Sequence, residues 1–102
     1  MKKYKTVDMP LAQADIRDIL EYLNTFSLDI ALKYADFIDE AINSLSTMPE
    51  RCPLVRTESL KAKGYRWLPA RNYTIFFTID ENADAVRIER VLYSRREYDV
   101  IL

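Results

Sequence analysis

Two stretches of this sequence interleave cations with aromatic rings. Tyr65-Arg66-Trp67 is the first, and Tyr93, Arg95, Arg96 and Tyr98 make the second. A guanidinium grips a phosphate through parallel N–H donors, and an aromatic face offers a surface on which a base can stack. Side by side, such residues suit a groove that faces RNA or another nucleic acid. They also suit a protein interface, where Tyr and Arg are enriched. Arg90 stands apart. In strict alternation Val86, Ile88, Arg90 and Leu92 share one strand face, so a charge interrupts an apolar row. Burying it is costly unless a carboxylate answers it or the face opens to water. The residue is therefore either an edge cation with its stem on apolar surface or a cation lining a groove on the sheet.

Catalytic chemistry has fewer footholds. The chain has no His and a single cysteine, Cys52. That composition disfavours a zinc site, leaves the thiol without an imidazole base, and forbids an intrachain disulfide. There is no Gly-rich phosphate loop and no paired-carboxylate metal motif, so no cofactor and no metal are expected. A ribonuclease would have to stabilise its charged transition state with Arg or Lys and move protons with a Tyr or a carboxylate. Glu89 and Glu97 are the acids nearest the cationic stretches, and spacing singles out neither.

Charge is distributed unevenly around a formal net of −1. Residues 1–7 carry three Lys and no acid. Residues 8–50 carry nine acids against Arg17 and Lys33. Residues 51–71 carry six basic residues, Arg66 and Arg71 among them, against Glu58. An acidic first half beside a basic middle gives a dipolar surface that can meet partners of either sign. Arg71, Arg90, Arg95 and Arg96 join Arg66 as candidate contacts to a nucleic acid or other target. The chain has 102 residues, 49% of them hydrophobic, which fits one globular domain spanning 1–102. Neither a signal-peptide apolar run nor a membrane-spanning stretch is present, so a cytoplasmic location and no membrane partner are expected.

The elements that must position these residues follow from periodicity. Residues 3–8 alternate weakly, as a short first strand would. Asp8 precedes Pro10 and reads as a helix cap. Ala12, Ile16, Ile19, Leu20, Leu23 and Phe26 form one helical stripe, with Asp15, Asp18 and Glu21 outside it. Ser27 caps a second helix with the stripe Ala31, Tyr34, Ala35, Ile38, Ala41, Ile42 and Leu45, ending near Ser46 or Thr47 before Pro49. So short a connection makes an antiparallel helical hairpin. Residues 49–64 read as a loop. Period two then takes over: Tyr65–Ala70, weakened to an edge or bulge by Pro69, then Asn72–Asp80, then Ala85–Tyr93, an antiparallel meander. Ser94 and Glu97 have capping-box spacing for a short C-terminal helix. The expected fold is α+β in two layers, a helical hairpin packed on a small twisted antiparallel sheet.

Three segments, in order, resemble the RelE/ParE toxin superfamily, and its ParE-like branch most closely. PLAQADIRDILEYL is similar to the family's first helix through Ala12, Asp15, Ile16, Ile19 and Tyr22. KGYRWLPARNYTIFFTID is similar to its Gly-x-Arg strand and the strand that follows. VRIERVLYSRREY is similar to its closing strand and Arg-bearing tail, and MPERCPLV fits its Pro-containing loop. The resemblance implies the bacterial toxin of a type II toxin–antitoxin pair, a growth-inhibiting protein of the plasmid-stabilising kind, neutralised by a cognate antitoxin. Two targets are implied. ParE-like members inhibit DNA gyrase and need no nuclease site. RelE-like members cut mRNA in the ribosome with basic residues on the sheet, and here Arg66, Arg95 and Arg96, with Tyr93 or Tyr98 for proton transfer, would fill those roles. Those ribonucleases usually carry an Arg in the central strand; Thr74 stands at that position, which favours gyrase. A third alternative is a non-toxic relative kept as an antitoxin-binding or regulatory module.

Overall fold

The computed structural model describes residues 1–95 and 102. The chain runs β1 (Lys5–Asp8), α1 (Pro10–Asn24), α2 (Leu28–Ser44), α3 (Glu58–Ala62), β2 (Arg66–Ala70), β3 (Tyr73–Asp80) and β4 (Ala85–Tyr93). The sheet order is β1-β4-β3-β2. The last three strands make the expected antiparallel meander, and β1 adds to β4 in parallel, so the sheet is mixed. Pro69 lies on β2, an edge strand, where its missing N–H costs no ladder bond.

Pro10 opens α1, which is expected where the first N–H groups have no helical partner. The cap differs from expectation. Met9, not Asp8, is the N-cap residue, and no side chain caps the helix. Asp8 is held in β1 by its pairing with Ile88, and its carbonyl oxygen accepts from Gln13 Nε2 at 2.9 Å instead. At α2 the expected cap is present: Ser27 Oγ accepts from the Ile30 N–H at 3.4 Å. Three residues, Thr25 to Ser27, turn the hairpin.

Ala12, Ile38, Ile42 and Leu45 of the hairpin pack on Tyr73, Ile75, Phe77, Val86, Ile88 and Val91 of the sheet. Each large aliphatic or aromatic side chain buried there contributes ~1.5–3 kcal/mol. Phe26, read as part of the α1 stripe, is instead 67% exposed: it lies past the end of α1 in the turn, where its ring meets Tyr22 edge to face at 5.2 Å. The opposite sheet face is also partly covered. Val55, Leu60, Phe76 and Leu92 cluster there, with Tyr65 and Leu102 against them.

That cover comes from residues 49–64, expected to be irregular. They hold a single 3-10 turn at Pro49–Arg51 and the short α3. Burial of Leu60 stabilises a helix too short to stand alone. Gly64, at φ +81°, ends it in the left-handed region that glycine enters without strain. Ahead of α3, the same stretch lies beside the start of β2: Val55 N donates to the Tyr65 carbonyl at 2.9 Å and Trp67 N to the Pro53 carbonyl at 3.2 Å.

Candidate functional site

A β-bulge decides where the cations of β4 point. Phe76 pairs with Arg90 and Phe77 with Ile88, so Glu89 is an extra residue on β4. One added residue reverses the alternation beyond it. Val86, Ile88 and Val91 therefore face the hairpin, while Leu92 turns to the other face beside Phe76. The expected row of Val86, Ile88, Arg90 and Leu92 does not exist.

Arg90 has a carboxylate partner. β1 pairs with β4 only as far as Ile88, so beyond that point the edge of β4 meets α1. There Arg90 Nε and Nη2 donate to the two Asp15 oxygens at 2.7 and 2.9 Å. Asp15 also accepts the Val91 N–H at 3.0 Å, closing the open edge. The side chains are 18% and 14% exposed. Hydrogen bonding to Asp15 holds the Arg90 pKa above its ordinary value, against the opposing effect of burial. The charge of Asp15 argues for a place outside the helical stripe. Its spacing of three from Ala12 and four from Ile19 puts it on the stripe, and that was the available signal.

The other cations are held separately. Arg66 shares a sheet face with its partner Phe77, while Trp67 shares the opposite one with Phe76. Arg66 Nη1 donates to the carbonyls of Cys52 at 2.6 Å and Glu50 at 3.3 Å, tying the loop after α2 to β2. Cys52 is buried, and burial pushes its thiol pKa up despite the nearby Arg51 and Arg66. Arg71 places its guanidinium 4.0 Å from the centroid of the Phe37 ring. Arg95 is exposed in the turn after β4. Arg96, Tyr98, Glu97 and the expected C-terminal helix lie outside the described residues. Glu89 accepts from the Thr78 hydroxyl at 2.8 Å.

Two concavities flank the end of the sheet. On the face away from the hairpin, Trp67, Pro69, Thr74, Phe76 and Ser94 line a pocket of about 310 Å³. None of these side chains is charged, and the hydroxyls of Thr74 and Ser94 bond each other at 2.9 Å. On the hairpin side, a pocket of about 590 Å³ is lined by Tyr22, Tyr34, Tyr73 and Tyr93, with Asp18 and Asn72 among its other residues. Asn72 Nδ2 donates to the Tyr34 hydroxyl oxygen at 3.1 Å. Burial, then the neighbouring Tyr34, Tyr22 and Tyr93, raise the Tyr73 pKa, so its phenol is neutral at physiological pH. Sequence reasoning singled out Tyr93 and missed the other three, which come from distant segments.

Among the described residues, no cluster of His, Cys, Asp or Glu has the arrangement of a metal site. No helix among them is long and apolar enough to cross a membrane.

The sequence model of a family described as the ParE toxin of type II toxin–antitoxin system, parDE, matches residues 9–98. Several solved structures are similar in fold, among them two from toxin–antitoxin systems. A chain of the toxin–antitoxin complex RelBE2 from Mycobacterium tuberculosis superposes with a TM-score of 0.62 at 22% identity, over 94% of this chain and 97% of that one. A chain of the chromosomal ParDE TA system from P. aeruginosa gives a TM-score of 0.71 at 19% identity, over 89% of this chain and 96% of that one. No curated protein matches.

Proposed function

The chain belongs to the ParE toxin family of type II toxin–antitoxin systems, and we propose that it arrests growth by binding DNA gyrase, without cutting nucleic acid, until a cognate antitoxin covers it. On this reading residues 1–102 are one toxin domain acting in the cytoplasm.

The observation that carries the proposal is the engagement of two candidate cations, Arg66 and Arg90, within the fold. Arg66 is tied to the carbonyls of Glu50 and Cys52, and Arg90 to Asp15. Thr74, in the central part of the sheet, offers a hydroxyl where a metal-free ribonuclease needs positive charge at the scissile phosphate. An inhibitor of a protein machine needs contact surface instead. The hairpin tip supplies it, since Phe26, Leu28 and Leu32 are all exposed.

A ribosome-dependent endonuclease has one observation in its favour. Arg95 is exposed and follows Tyr93 and Ser94 in sequence, each of which lines one of the two concavities.

Tightly controlled expression of the chain without its antitoxin separates these readings. Growth arrest with intact mRNA and trapped gyrase–DNA complexes is the expected result. Arrest with mRNA cut at ribosome-positioned sites would promote the endonuclease. Normal growth of cells holding folded protein would leave only an antitoxin-binding or regulatory module.

A further inference from the structure

The larger pocket has the chemistry of a cation cage. Four tyrosine rings line it, and among the described residues Asp18 is the only acidic or basic side chain in its lining. Tyr34 and Tyr73 meet edge to face, with centroids 5.8 Å apart and planes at 85°. Tyr73 and Tyr93 repeat the contact at 5.8 Å and 71°. Aromatic faces are electron-rich and attract a cation, and the exposed Asp18 carboxylate, 3.8 Å from Arg17 Nε, adds negative charge at the rim. The Asn72 amide fixes the Tyr34 wall by donating to its hydroxyl.

The surroundings favour the same sign of ligand. Residues 8–50, which contribute both helices, carry nine acids against two cations. Among the described residues that line the pocket none is Lys or Arg, so a phosphate would find no counter-charge among them. The protein already holds one guanidinium on an aromatic face nearby: Arg71 lies over Phe37, and Phe37 is in edge contact with Tyr34 at 5.5 Å.

We infer that this tyrosine cage is a binding site for an arginine side chain presented by a partner protein. The planar guanidinium can lie against the rings while its N–H groups reach the Asp18 carboxylate and the phenol oxygens, which a neutral side chain of the same shape cannot match. The inference rests on the geometry of the pocket and holds whether the toxin's target is gyrase or the ribosome.

The test is a titration of the full chain, with its tyrosine rings isotopically labelled and observed by NMR, at constant ionic strength. The probes are N-acetyl-arginine-methylamide, its neutral citrulline counterpart and adenosine monophosphate. Saturable shifts of the Tyr34, Tyr73 and Tyr93 rings are expected with the arginine probe, and the citrulline probe should bind about fivefold more weakly. Asp18→Asn and Tyr93→Leu should each weaken arginine binding about threefold. Both positions are exposed, at 72% and 43%, so both variants should still melt cooperatively, with Tyr93→Leu losing only its ring contact with Tyr73. Equal affinity for citrulline, tighter binding of the nucleotide, or no saturable shift with arginine would each overturn the assignment.

Discussion

Asp15 on α1 and Arg90 on β4 are 75 residues apart in sequence and joined by a two-pronged ion pair, with the Val91 N–H on the same carboxylate. The pair locks the first helix onto the sheet where β1 stops. It also removes one cation from the surface available to a polyanion.

Losing the carboxylate should therefore be costly. Asp15→Ala leaves a mostly buried guanidinium and a strand N–H without their acceptor, and should destabilise the protein by on the order of 2–4 kcal/mol. Arg90→Ala should cost less, because Asp15 keeps the Val91 N–H. In the double variant Asp15→Leu/Arg90→Met much of the Asp15→Ala loss should return, since an apolar pair replaces a charged one. Urea melts of the four proteins check this. Equal stability of Asp15→Ala and the parent would contradict it.

Arg66 is expected to act on the loop it anchors. Arg66→Ala removes two hydrogen bonds to the carbonyls of Glu50 and Cys52, at a cost of about 1–3 kcal/mol. The buried Cys52 thiol should then react faster with a thiol reagent, since the loop opens more often. No acceleration would mean that Arg66 does not hold this segment.

The hairpin tip should separate stability from action. Phe26 is exposed, so Phe26→Asp should change stability by no more than about 0.5 kcal/mol. If the tip contacts gyrase, the same change should weaken inhibition about tenfold or more. Inhibition equal to the parent's would place the contact elsewhere.

A small acid sensitivity is expected at the N-terminus. Glu81 accepts from Lys2 at 2.8 Å and from the Tyr4 hydroxyl at 3.0 Å, and these hydrogen bonds hold its pKa below the ordinary value of 4.5. The unfolded chain takes up the proton first, so this stabilisation is complete above pH 4.5 and fades as pH falls through the folded value. Glu81→Gln should lower the melting temperature slightly at pH 7, and the gap should close below pH 4.5. A gap that persists in acid would show that the charge is not its source.

The backbone plan was legible because it is written in period. Alternation marked β3 and β4, and the three-and-four spacing marked both helices. The Glu89 bulge was not legible, since one extra residue leaves the alternation of types intact while turning Leu92 to the other face. Asp15 stood on the helical stripe but was set aside for its charge; only the fold reveals that Arg90 reaches it. Helix α3 depends on burial of Leu60, a tertiary effect that five residues cannot announce. Among the candidate site residues, Tyr93 stood out for its neighbours in sequence, yet its partners Tyr22, Tyr34 and Tyr73 are assembled by topology alone.

Supercoiling by purified gyrase in the presence of the purified chain tests the proposed function most directly, with the same preparation added to mRNA on translating ribosomes. A gyrase-directed toxin should block supercoiling and leave the mRNA whole. Unimpeded supercoiling beside mRNA cut on the ribosome would contradict the proposal and return Arg95 to the centre of a nuclease site.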